Sequence, residues 1–195
     1  KFYSPTEGQI LVDGINLEDI SAQLWRTSCG TVMQDGFVFS DSIARNIAVD
    51  VQRIEDERPE DAVRVANFHE DVARFPLGYT TRIGNSGSGM SGGQKQRLFI
   101  ARAVYKDPRF LFFDEATSAL DANNERIIME NLQRFYEGRT VLVIAHRLST
   151  VKNADHIVVM HYGEVVEEGT HFDLVAKQGY YYELVKNHLE LGGAA

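Results

Sequence analysis

The sequence predicts an α/β fold in which a parallel sheet carries a helical insertion, and three observations predict it. Two short runs, Phe110 to Phe113 and Thr140 to Ile144, are almost wholly apolar, as strands covered on both faces of a parallel sheet are. Each follows a stretch of helical character, the alternation that parallel strands require. Between Asp35 and Arg82 the residues Ile43, Ile47 and Ala48, then Ala62, Val65, Ala66 and Val72, recur at three- and four-residue spacing, so a block of helices interrupts the sheet. A chain of 195 residues can bury roughly 70% of its unfolded surface and support one such core.

Taken in order, Gly8-Gln-Ile-Leu-Val-Asp-Gly14 is an apolar run bounded by glycines, and Thr31-Val-Met33 is a second run ending at Gln34; both read as strands. The helical block follows. Pro76-Leu-Gly-Tyr79 and Gly84 to Gly89 are rich in residues that tolerate unusual backbone angles, and predict a loop. Ser91 to Lys106 is a helix, Phe110 to Phe113 a strand, Asn123 to Tyr136 a helix and Thr140 to Ile144 a strand. His156 to Met160, a Tyr162-Gly163 turn and Glu164 to Val166 form a hairpin, with helices near Phe172 to Lys177 and Tyr180 to His188. This divides the chain into an N-terminal part of the sheet core (residues 1–34), a helical subdomain with its linker loop (35–90), and the rest of the core (91–195).

Composition narrows the function classes. Lys plus Arg total 20 against 28 Asp plus Glu, a net charge of −8, which disfavours nonspecific binding to nucleic acid or an anionic membrane because both need a basic surface. The one cysteine, Cys29, forms neither an internal disulfide nor a cysteine zinc site, so a reducing cytosolic setting is expected. Apolar runs fall far short of the ~20 residues that cross a bilayer, and the chain is expected to be soluble in itself. It opens at Lys1, and Phe2-Tyr3-Ser4-Pro5 reads like the end of one element entering a turn. An excerpt of a longer protein is therefore expected, with a processed start on a complete domain as the alternative.

Two constellations carry chemistry. The strand Phe110-Leu-Phe-Phe113 delivers Asp114 and Glu115 at its C-terminal end, where open parallel sheets place their ligands. One carboxylate there suits Mg²⁺, and the next can orient or deprotonate an attacking water; an acidic turn without function is the alternative. Ser91-Gly-Gly-Gln94 opens a helix, where free N–H groups attract phosphate. The same four residues form a capping-box pattern, Ser91 bonding forward and Gln94 back. The two readings are compatible.

Joined together, Met90-Ser-Gly-Gly-Gln94, Phe110-Leu-Phe-Phe-Asp-Glu115 and Ser118-Ala-Leu-Asp121 resemble the nucleotide-binding domain of ATP-binding cassette transporters, of exporter type, over almost the whole chain. The resemblance implies a P-loop NTPase-like parallel sheet with a helical subdomain, here N-terminally truncated. It makes Ser91, Gly92, Gly93 and Gln94 the signature motif, Asp114 the Walker B aspartate, Glu115 the catalytic glutamate, Ser118 and Asp121 parts of the D-loop, Gln34 the Q-loop glutamine and His146 the switch histidine. It further implies ATP and Mg²⁺ as cofactors, with Gln34 and Asp114 at the metal and Glu115 and His146 at the reaction. The implied partners are a second nucleotide-binding domain, facing this one head to tail, and the transmembrane domain of the same exporter, at the cytoplasmic face of the membrane. No nucleic acid is expected. His69, His156, His161, His171 and His188 receive no role.

The sequence departs from the family in two places. Asn85 stands where exporters commonly carry a glutamate, and the phosphate cradle Gly-x-x-x-x-Gly-Lys-Ser/Thr occurs nowhere. Such a loop supplies charge-assisted contacts worth about 1.5–3 kcal/mol each, so the 195-residue chain by itself is expected to be inactive while its parent hydrolyses ATP. Phe75-Pro-Leu-Gly-Tyr79 with Gly84 to Arg97 is most similar to peptide or bacteriocin exporters. Two alternatives stand beside export: a noncatalytic interaction or regulatory fragment, and a chromosome-maintenance or DNA-repair ATPase. The latter is disfavoured by the short span from Gln34 to Ser91, which holds no sustained heptads.

Overall fold

The structure is a computed structural model and describes residues 1, 3–49, 58–84, 89–144 and 148–192. It divides into two compact units, residues 1–142 and 143–195.

In the first unit, the N-terminal apolar run holds the short strand β1 (Leu11–Val12), which pairs antiparallel with a further strand just beyond the run, β2 (Ile15–Asn16). Asp13 and Gly14 between them both have positive φ (50° and 78°), the backbone twist that favours Asp-Gly in two-residue hairpin turns. Ser21 then caps α1 (Ala22–Ser28), its Oγ accepting from the Leu24 N–H at 3.1 Å.

β3 (Cys29–Val32) runs parallel to β4 (Phe110–Asp114), with Cys29 opposite Phe110 and Val32 opposite Phe113. That register brings the chain leaving β3, and hence Gln34, to the end where β4 delivers Asp114 and Glu115. β4 is covered on both sides, as its apolar run predicts. Trp25 of α1 packs on Phe110 and Phe112 (ring centroids 5.3 and 6.2 Å), and Tyr136 of α6 (Ala122–Tyr136) packs on Phe113 at 5.8 Å.

β5 (Thr140–Ile144) completes the order β3-β4-β5. The expectation that it is equally buried is not met: Leu142 and Ile144 are each more than half exposed. They share one face of the strand with exposed Thr140, while Val141 and Val143 on the other face are partly buried, and apolar composition alone does not reveal which face is covered.

The insertion consists of α2 (Ile43–Ile47), α3 (Arg58–Val65) and α4 (His69–Arg74), packed around α5 (Gly92–Tyr105). Val38, Ile43, Ile47, Ala62, Val63, Ala66, Phe68 and Val72 are buried there with Leu98 and Ile100. α5 is buried along nearly its whole length from Gln96 to Tyr105, which makes it the pillar against which both the insertion and the sheet are packed.

The second unit contains α7 (Leu148–Val151), a hairpin of β6 (Ile157–His161) and β7 (Glu164–Gly169), α8 (His171–Lys177) and α9 (Tyr180–Gly192). Its core is Ile157, Val159, Leu174 and Tyr181. Thr170 and Asp173 form a capping box on α8, and the Glu167 carboxylate accepts the N–H groups of Tyr180 and Tyr181 that open α9. Among the described residues no helix is long and apolar enough to cross a membrane.

Candidate functional site

The site is built at the C-terminal end of β4, where Asp114 is half-buried and Glu115 begins a tight turn. Glu115 has φ +48°, a left-handed conformation uncommon for a residue with a side chain. The turn is closed by the Ser118 N–H donating to the Glu115 carbonyl at 3.1 Å and by the Leu120 N–H donating to Thr117. From the opposite side, the exposed Gln34 donates through Nε2 to Glu115 Oε2 at 3.2 Å. The two residues are far apart in the chain, and the parallel β3/β4 register is what joins them.

The N-terminus of α5 lies beside the same turn. Ser91 Oγ accepts from the Gln94 N–H at 3.2 Å, and the Gln94 side chain accepts from the Ser91 N–H at 2.9 Å, the reciprocal cap that Ser-x-x-Gln predicts. Ser91 and Gly92 are exposed. A Cβ at Gly92 would sit 3.6 Å from the Ala119 side chain and one at Gly93 3.4 Å from the Ala119 carbonyl oxygen, so the glycines let the helix start close against the chain that follows Glu115.

Further along α5, Gln94 Nε2 donates to Asp71 of α4 at 2.9 Å, and Arg97 forms an ion pair with the same carboxylate at 2.8 Å, both partners nearly buried. Buried Gln96 bonds to the Glu115 carbonyl, the Ser118 hydroxyl and the Ala119 N–H. Asp71, Gln96 and Arg97 are organising residues that sequence reasoning missed. Gln96 and Arg97 directly follow the Met90–Gln94 motif, and a polar pair within an otherwise buried helix was the signal. Asp71 lies in a charged stretch that offers none.

Asp121 caps α6, accepting from the N–H groups of Asn123 and Asn124 and from the Asn124 side chain. The Asn124 backbone and side-chain bonds hold its carboxyl below the usual carboxylate range. Ser118 and Asp121 are both exposed on this rim. Asn124 also accepts from Asn67 of the helical block at 2.9 Å.

The loop after Gln34 is anchored behind the site. Asn46 is fully buried and bonds to the backbone of Phe39 and Ser42. Arg102 of α5 donates to the carbonyls of Asn46 and Phe37 and lies 5.3 Å from the ring centres of Phe39 and Phe99. Burial pulls its pKa down to about 10, which still leaves it charged at neutral pH. Gly36 passes against the Phe99 ring, where a Cβ would come within 2.5 Å.

The structure therefore gathers Gln34, Glu115, Ser118 and the Ser91–Gln94 cap around one turn, with Asp114 immediately before it and Asp121 on its exposed continuation. His146 and Asn85 lie outside the described residues. The donor chemistry fits a hard divalent cation: Asp114 offers a carboxylate, and Gln34, its amide nitrogen engaged by Glu115, has an oxygen to offer.

Comparisons with known proteins point to one family and one fold. The family model described as ABC transporter matches residues 1–118. The chain is 47% identical over 184 residues to the ATP-dependent lipid A-core flippase of Syntrophus aciditrophicus, covering 94% of this chain and 31% of that protein. It is 47% identical over 175 residues to the leukotoxin translocation ATP-binding protein LktB of Mannheimia glucosida, covering 90% of this chain and 25% of that protein. A solved structure of a bacterial Atm1-family ABC exporter with ATP bound superposes with a TM-score of 0.93 at 39% identity, over 97% of this chain and 33% of that one. The chain thus spans about a third or less of the proteins it matches. It belongs to the ABC transporter family.

Proposed function

We propose that this chain is part of the ATP-hydrolysing engine of an exporter, in which ATP binding and hydrolysis between two head-to-tail domains drive transport across a membrane. The observation that carries the reading is the 3.2 Å contact between the Gln34 amide and the Glu115 carboxylate at the end of a buried parallel strand. It joins the loop that leads into the helical block to the residue best placed to accept a proton.

In this reading Glu115 takes the proton of the attacking water, a general-base role worth roughly 10²–10⁴ in rate. Asp114 and the Gln34 oxygen hold Mg²⁺, which when bound neutralises charge on the phosphates. His146 contacts the γ-phosphate. The cap of Ser91, Gly92, Gly93 and Gln94 faces the nucleotide of the opposite domain, offering the Ser91 hydroxyl and the glycine N–H groups rather than the two N–H groups that the cap itself uses, while Ser118 and Asp121 meet that domain across the rim. The helical subdomain within residues 35–90 receives the transmembrane domain, and the assembly works at the cytoplasmic face of the membrane without nucleic acid. Residues 1–195 hold no Gly-x-x-x-x-Gly-Lys-Ser/Thr loop, and in this reading turnover requires such a loop from outside them.

The test is made on the full-length exporter that contains this segment. Glu115→Gln lowers phosphate release by about 10²-fold or more while equilibrium ATP binding persists. Normal turnover in that variant would end the assignment.

A further inference from the structure

Gln96 sits in the buried part of α5, 7% exposed, followed by the buried Arg97, Leu98 and Phe99. An uncharged amide in such a place is costly unless its polar atoms find partners. Its partners lie on one segment. Nε2 donates to the Glu115 carbonyl and to Ser118 Oγ, both at 3.1 Å, and Oε1 accepts the Ala119 N–H at 2.9 Å.

That segment is the turn in which Glu115 has φ +48°, a conformation that persists in a non-glycine residue only where the surroundings over-determine it. The Glu115 carbonyl receives two donors, the Ser118 N–H that closes the turn and the Gln96 amide that ties the turn to α5. Gly93, one turn earlier on the same helix, lies against the Ala119 carbonyl. The contact is thus continuous from the start of α5 to the Gln96 amide.

We infer that Gln96 is a positioning residue for hydrolysis, fixing the backbone from which the Glu115 carboxylate is aimed and tying it to the helix that begins at the Ser91–Gly93 cap. It acts through the main chain of residues 115–119, and a small misplacement of a reacting group is enough to cost rate. The inference rests on Glu115 being the general base.

The experiment uses the full-length exporter with Gln96→Met, which keeps the length, apolar packing and helix preference of the side chain while removing its hydrogen bonds. Glu115→Gln is measured alongside. The expected result for Gln96→Met is a kcat lower by about tenfold or more, a KM for ATP within about threefold, and faster amide hydrogen exchange at residues 115–119. Unchanged kcat in Gln96→Met, with Glu115→Gln inactive, overturns the inference and leaves the assignment of Glu115 standing. Normal turnover in Glu115→Gln removes both. A fall in kcat matched by an equal fall in ATP affinity assigns Gln96 to general packing and also overturns it. If Gln96→Met does not fold, Gln96→Glu preserves the shape and the acceptor for Ala119 while losing the amide donor, and the same split between kcat and KM decides.

Discussion

The turn after β4 is held differently on its two sides. Toward α5 it meets the three hydrogen bonds of buried Gln96, and next to Gln96 the nearly buried Arg97–Asp71 ion pair locks α5 to α4. Toward the loop after β3 it meets a hydrogen bond from Gln34, an exposed side chain whose loop is anchored further along, at Phe37, Phe39 and Asn46. Buried, multiply bonded groups open rarely, whereas exposed single contacts open at little cost. The turn is therefore referenced to the buried face of α5, while its contact with the Gln34 loop runs through an exposed side chain.

Three substitutions break or sharpen that contrast. Asp71→Ala leaves the Arg97 guanidinium nearly buried without its carboxylate, and an orphaned charge of that kind costs about 3–5 kcal/mol; the urea unfolding midpoint of the chain falls accordingly. A midpoint within error of the parent would mean that the α4–α5 lock contributes nothing. Gly36→Ala forces a methyl group toward the Phe99 ring, and the resulting overpacking costs about 1–3 kcal/mol, read as a lower thermal midpoint. Gln34→Ala removes one exposed hydrogen bond and changes stability by no more than about 0.5 kcal/mol. Turnover of the full-length exporter falls in that variant although the unfolding curve is unchanged. A marked loss of stability there would show the loop to be as firmly fixed as α5.

Much of this organisation was legible because it is local. Ser-x-x-Gln announces its own cap, and a run such as Phe110-Leu-Phe-Phe113 announces a covered strand, since the pattern and its physical cause lie within a few residues. The glycine of the Asp13-Gly14 turn is equally local and bounds the apolar run, but the two-residue strand beyond it, Ile15–Asn16, is too short to announce itself. The exposure of Leu142 and Ile144 was not legible, for a strand's composition does not state which of its faces another layer covers. Nor was Asp71: its partners Gln94 and Arg97 lie on another helix, and only the packing of α4 against α5 turns an ordinary surface-type acid into a buried anchor. The motifs supplied the residues expected at the site, and tertiary packing supplied the residues that hold them.

The left-handed backbone at Glu115 has a consequence for anyone improving this protein. Selection for heat tolerance alone would favour glycine or asparagine at that position, since either relaxes the main chain there. The same exchange would delete the carboxylate, so under the role proposed for Glu115 robustness and chemistry pull in opposite directions at this residue.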